Sequence, residues 1–199
     1  MIETHDRTET PRGHIPGEPG LWVLIFGDLL VFGVLFVTYA VSLVNDADAM
    51  RLSQEKLGRG LGLANTILLL TSSWFIAHAV IAARRGAPGV RRLIFAAIAL
   101  GTAFVAVKIV EWGGHIGSGD TLNSSSFFTF YFMYTGIHLL HVLIGLGVLC
   151  WTATQCDSRG AWTGSFAVLE GSAVFWHLVD LLWVMIFALL YLLRHGGAA

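Results

Sequence analysis

The chain has 199 residues, of which 55% are hydrophobic and 13% charged, with a formal net charge of −1. Soluble domains carry about 25% charged residues, so this composition calls for lipid as solvent, and a near-zero net charge excludes the basic surface of a nucleic-acid binder. Two cysteines, Cys150 and Cys156, make neither a CxxC redox pair nor a zinc spacing and read as free thiols at a membrane boundary.

Residues 1–20 form a polar tail carrying Glu3, Asp6, Arg7, Glu9, Arg12 and Glu18 among Pro11, Pro16 and Pro19, with no apolar core of signal-peptide type. Residues 21–195 form one membrane domain. At 1.5 Å per residue a membrane helix needs about 20 mostly apolar residues. Five segments qualify: Leu21–Val44, Leu61–Ala83, Leu93–Trp112, Phe127–Thr154 and Val168–Leu193. The polar stretches Asn45–Gly60, Arg84–Arg92, Gly113–Ser126 and Gln155–Ala167 connect them. No strand alternation, heptad pattern or internal repeat stands out. The predicted fold is all-α, a polytopic bundle of five transmembrane helices whose short loops force successive helices to run antiparallel.

Lys and Arg prefer cytoplasmic loops. One side of the predicted bundle carries Arg7, Arg12, Arg84, Arg85, Arg91, Arg92 and Arg159, the other Arg51, Lys56, Arg59 and Arg194, while Lys108 lies inside a helix. This bias predicts a cytoplasmic N-terminus and an external C-terminus.

Ionisable side chains inside a membrane helix are costly and normally face protein or water. Helix one carries Asp28 within Phe26-Gly27-Asp28-Leu29-Leu30-Val31-Phe32, helix two His78, helix three Lys108 and Glu111, helix four His138 and His141, and helix five Glu170, His177 and Asp180. The steps from Lys108 to Glu111, His138 to His141 and His177 to Asp180 are each three residues, which places each pair on one helix face. Tyr134 and Gly145 continue the His138–His141 stripe, with the glycine admitting a close neighbour. By depth, Asp28, His78 and Glu170 are expected in the cytoplasmic third, the other three histidines near the midplane, and Lys108 and Glu111 towards the outer surface. Mutual hydrogen bonding that locks helix packing accounts for any one of these residues. All nine together mark a polar network through the bundle.

Several chemistries compete for that network. A b-type haem needs two facing histidines, and His141 with His177 meets the count, yet no ligand motif accompanies them and Asp180 offers His177 a metal-free partner. An intramembrane protease lacks a serine–histidine pairing at depth, since Ser165 lies in a loop. A phosphate-binding loop is absent. A transporter would show broken helices and paired repeats. Proton handling fits better, because Asp28 in a Phe- and Leu-rich wall needs a cation or donor beside it, a setting where a carboxyl exchanges protons or reacts with carboxyl reagents.

Four segments then resemble a known family. Ser126-Phe127-Phe128 followed by Tyr134-Thr135-Gly136-Ile137-His138-Leu139-Leu140-His141-Val142-Leu143-Ile144-Gly145 is similar to the TGxHxxHVxxG helix of haem-copper oxidase subunit III. Phe175-Trp176-His177-Leu178-Val179-Asp180-Leu181-Leu182-Trp183 resembles its WHFVDxxW helix, with Glu170 at the usual upstream position. Asn65-Thr66-Ile67-Leu68-Leu69 with Ser72 and Ala77-His78 is similar to its NTxxLLxSS…AH helix, and the segment from Lys108 through Glu111-Trp112 to its QxxEY segment. The resemblance spans about Leu21 to Leu193. It implies a non-catalytic subunit of a respiratory terminal oxidase in the bacterial cytoplasmic membrane, supporting assembly, stability and proton uptake of subunit I. Haem and copper are then expected in that partner, with no cofactor on this chain. The implied partners are subunit I, the other subunits and membrane lipids, including a structural lipid.

Asp28 stands where many relatives carry a glutamate sensitive to carboxyl reagents. It is therefore the expected proton-facing carboxylate, with His78, Lys108, Glu111, His138, His141, Glu170, His177 and Asp180 as the network. The longer form of the family has two further N-terminal helices bordering a lipid cleft, which this chain is expected to lack. Five-helix relatives include quinol oxidase and cytochrome c oxidase subunits and the accessory subunit of nitric oxide reductases. The stretch Gly17-Glu18-Pro19-Gly20-Leu21-Trp22 resembles the last, whereas Phe36–Tyr39 and helix five resemble a quinol oxidase subunit. Outside the family, a haem-binding electron carrier using His141 and His177 and a small transporter using the polar network stay open.

Overall fold

The computed structural model describes residues 19–193. Residues 1–18 of the predicted tail and the side assignments of Arg7, Arg12 and Arg194 lie outside the described residues, while Pro19 and Gly20, read as the end of the tail, belong to the first helix. Among the described residues, five helices are long and apolar enough to cross a membrane. They are α1 (Pro19–Asn45), α3 (Arg59–Arg84), α4 (Val90–Gly117), α5 (Ser126–Thr154) and α6 (Phe166–Phe187), the last continuing as a π turn over Ala188–Leu192. In that turn the Leu193 N–H reaches the Ala188 carbonyl at 2.9 Å, a five-residue step. A short helix, α2 (Ala47–Gln54), lies inside the stretch read from sequence as a polar connection. Its eight residues are far below spanning length, so a search for apolar runs passes over it, yet it buries Met50 and Gln54.

Helices α4 and α6 begin or end a few residues beyond the predicted limits, because their termini run on into the zone where polar residues are tolerated. The tight α3–α4 connection needs Gly86 and Gly89 at φ +63° and +95°, a region that side chains with a Cβ avoid. Helix α5 is capped by Ser125, whose Oγ accepts the Phe128 N–H at 3.3 Å.

The buried positions of the bundle follow a heptad spacing that does not stand out in the sequence. On α3 the buried line is Gly62, Asn65, Leu69, Ser72, Ile76, Ala79 and Ala83, and on α4 it is Val90, Ile94, Ala97, Gly101, Phe104, Lys108 and Glu111. Steps alternating between three and four residues are the seam of antiparallel, coiled-coil-like packing. The pattern is invisible in hydropathy because the lipid-facing residues are as apolar as the core.

Trp176 of α6 fills the space between α3, α4 and α5. A Cβ on Gly145 would stand 2.7 Å from its Cε3 atom, and one on Gly101 2.9 Å from Cη2. Its indole N–H donates to Ser72 Oγ at 3.1 Å. One heptad on, Trp183 donates to Thr66 Oγ1 at 3.1 Å. Gly62 makes room for the rings of Phe187 and Tyr191. Helix α1 packs at the side through Ile25, Phe32 and Tyr39, and leaves Val23, Phe26, Leu30 and Val44 exposed. Cys156 is buried and Cys150 exposed, both free, and burial pushes the Cys156 thiol up.

Candidate functional site

The predicted polar residues gather into separate groups instead of one continuous network. Asp28 of α1 faces His141 of α5, with Oδ1 and Nε2 3.3 Å apart. His141 Nδ1 lies 2.8 Å from the Ile137 carbonyl, which can only accept, so Nδ1 carries a hydrogen. The Nε2–Oδ1 contact then needs one bridging proton, held either by the carboxyl or by the imidazole. Tyr134, two turns away on α5, donates to the Leu35 carbonyl and joins α5 to α1. Sequence depth had set Asp28 with His78 and Glu170. The tertiary structure sets it against His141, since α1 enters and α5 leaves on the same side.

The second group is buried. Lys108 donates to Glu111 Oε2 at 2.8 Å and contacts the Tyr191 hydroxyl at 3.1 Å, while that hydroxyl donates to Glu111 Oε1 at 2.5 Å. The ammonium also lies 4.7 Å from the ring centre of Trp183 and 5.3 Å from that of Tyr131. The π turn carries Tyr191, and Gln54 of α2 donates to the Leu190 and Leu193 carbonyls there, at 2.9 and 3.1 Å. Beside Glu111 a pocket of about 620 Å³ opens towards Lys56, His115 and Asp120. Lys56 and Asp120 pair at 2.7 Å on its rim.

The third group lies between α3 and α6. Arg84 donates to Glu170 at 2.7 Å. Ser73 Oγ pairs with His177 Nδ1, and Asp180 Oδ2 lies 3.9 Å from that same nitrogen. A serine–histidine contact therefore does exist at depth, contrary to the sequence reading. With serine and aspartate on one ring nitrogen, it lacks the two-sided imidazole that a proton relay from serine through histidine to carboxylate needs.

His138 and His78 stand apart. His138 is fully buried at 5.6 Å from the Phe104 ring and 5.3 Å from that of Trp183, and neither of its nitrogens has a hydrogen-bond partner among the described residues. His78 points outward, lies tilted against the Trp74 ring at 4.0 Å and bonds the Trp74 carbonyl of its own helix at 3.0 Å. His141 and His177 line different pockets and face different partners, so the structure does not bring them together as a ligand pair. Among the described residues no three His, Cys, Asp or Glu side chains converge as a metal site.

Sequence reasoning missed Ser73, Arg84 and Tyr191. Arg84 was read as a loop charge, although it ends α3 where Glu170 begins α6. No pattern announced Tyr191, since the π turn shifts its register.

The chain matches the family model for cytochrome c oxidase subunit III over residues 18–195. It is 31% identical over 192 residues to quinol oxidase subunit 3 of Bacillus subtilis, covering 96% of this chain and 92% of that protein. It is 29% identical over 176 residues to the cytochrome bo(3) ubiquinol oxidase subunit 3 of Pseudomonas aeruginosa, covering 87% and 83%. It is 26% identical over 179 residues to cytochrome c oxidase subunit 3 of a Bacillus species, covering 89% and 86%.

Proposed function

The chain belongs to the cytochrome c oxidase subunit III family, and from that premise we propose that it is the non-catalytic third subunit of a respiratory haem-copper oxidase. The observation that carries this reading is the match of nearly the whole membrane domain to that family. The partner is subunit I, which holds the haems and copper, and the electron donor is a membrane quinol, as the names of two of the compared relatives suggest. The complex lies in the bacterial cytoplasmic membrane, with the N-terminus of this chain inside.

The chain supports assembly and stability through its buried Lys108–Glu111–Tyr191 cluster and the tryptophan-filled core. Its proton-facing group is the Asp28–His141 pair. The bridging proton moves between two forms, neutral carboxyl with neutral imidazole and carboxylate with imidazolium, and neither changes the net charge of the pair. A proton is thereby held at low cost in an apolar wall, ready for transfer to the adjoining subunit.

Mild-detergent purification of the tagged chain, with visible spectra and subunit identification on one sample, tests the reading. A haem-copper subunit I in the eluate, with no haem on this chain after separation, is expected. A colourless chain purified alone overturns the assignment. A red chain purified alone, whose Soret band is lost on replacing His141 or His177, would make it a haem carrier instead. The haem types and the acceptor reduced by the complex distinguish an oxygen-reducing partner from a nitric oxide-reducing one.

A further inference from the structure

We propose that the pocket over Asp28 and His141 binds a quinol-class ligand, a hydroxylated ring on an apolar tail. The proposal rests on the accessory-subunit reading and assigns that subunit a holding site of its own for the donor. The pocket measures about 320 Å³ and lies between α1, α5 and α6. Its walls are Leu24, Ile144, Val148 and Phe175, and its polar floor is Asp28 with His141. Only 17% of the α1 span is buried, against 61% for α6, so the cleft beside α1 is open to molecules dissolved in the bilayer.

The floor is incompletely satisfied. Asp28 Oδ1 meets His141, but Oδ2 is buried with no hydrogen-bond partner among the described residues. A buried carboxyl oxygen without a donor is costly, and an occupant that brings an O–H removes that cost. The described residues offer none: Ser172, also on the pocket wall, spends its hydroxyl on the Val168 carbonyl and on Thr152.

Depth selects among membrane molecules. Asp28 is nine residues past the start of α1, about 13 Å along the helix. A phospholipid keeps its donors in the headgroup layer and presents only acyl chain at this level, which leaves Oδ2 as it was. A quinol headgroup is small and apolar enough to lie below the headgroups and carries hydroxyls on a flat ring. One hydroxyl donates to Oδ2, the ring packs on Phe175 and the aliphatic wall, and the tail leaves towards lipid. The site binds and orients, and no electron transfer is assigned to it.

A photoreactive azido-quinone on the purified oxidase complex, with peptide mapping of adducts, tests the site. Adducts are expected within residues 22–28 and 171–175, displaced by excess unlabelled quinol and not by phospholipid. Asp28→Leu, which leaves no acceptor on the pocket floor, weakens capture at this site at least about tenfold, the loss of one hydrogen bond with the ligand hydroxyl left unpaired. Leu24→Trp, at a position 46% exposed and so tolerant of a larger ring, fills the pocket and lowers labelling as much. Absence of adducts from these peptides, displacement by phospholipid instead of quinol, or labelling unchanged in both variants overturns the proposal. Subunit I is identified in the same preparation, so loss of the complex marks failure of the accessory reading, separately from failure of the site.

Discussion

Replacing Glu111 with glutamine keeps the side chain's size and removes its charge, which tests whether the Lys108 cluster holds the bundle together. The Lys108 and Glu111 side chains are 1% and 2% exposed, and the bond between them measures 2.8 Å. Removing one partner of a buried ion pair leaves the other charge uncompensated and costs about 3–5 kcal/mol. Glu111→Gln falls near the lower end, about 3 kcal/mol, because the amide oxygen still accepts and the Trp183 and Tyr131 faces still attract the ammonium. Lys108→Met falls near the upper end, since it strands a buried carboxylate that keeps the Tyr191 hydroxyl as donor but loses its cation. The double variant Lys108→Met with Glu111→Gln buries no charge and keeps the Tyr191 bond. It is expected to cost no more than about 2 kcal/mol against about 8 kcal/mol for the two single losses added together, so that the coupling energy is at least about 6 kcal/mol. Asp120→Asn is the control, because its partner Lys56 is 56% exposed and such a pair is worth less than about 1 kcal/mol. Unfolding in mixed micelles titrated with dodecyl sulfate reads all four variants. Single variants costing under about 1 kcal/mol, with an additive double, would refute the argument.

Two further perturbations probe the packing and the proton pair. Gly145→Ala places a methyl 2.7–2.8 Å from Trp176, which Gly101 and Ser72 hold on its other sides, so a loss of about 1–3 kcal/mol is expected in the melting of the tagged chain. Gly147→Ala on the same helix meets nothing within 4 Å and is expected to be neutral or slightly stabilising; equal effects at both glycines would remove the close-packing argument. Dicyclohexylcarbodiimide, which adds to protonated carboxyls in apolar surroundings, is expected to label α1 through Asp28, to fall to background in Asp28→Asn and to persist in Asp28→Glu. Labelling that survives in Asp28→Asn would assign the reactive carboxyl elsewhere.

Much of the candidate site was legible as residue types and very little as partners. The three-residue step from Lys108 to Glu111 announced their pairing, because an i,i+3 contact is decided within one helix. Asp28 with His141 and Arg84 with Glu170 join helices far apart in the chain, and their meeting depends on how the helices are arranged in the bundle. His138 and His141 share one helix face in the sequence, yet the structure buries one among rings and gives the other a carboxylate, because their neighbours on α6 and α1 differ.

The amino-acid order by itself determined the five spans, their alternation and the family, since span length and apolarity are local quantities set by bilayer thickness. The motif histidines and carboxylates were likewise present in the order of residues, as expensive letters in an apolar text. Only the tertiary structure decided which face of each helix meets protein. In lipid both faces are apolar, so hydropathy carries no inside-outside contrast, and glycine positions such as Gly62, Gly101 and Gly145 select the face through steric fit. The same holds for the π turn that brings Tyr191 to Lys108 and for the cleft above Asp28. Both arise from contacts between helices distant in the chain, and no local pattern encodes them.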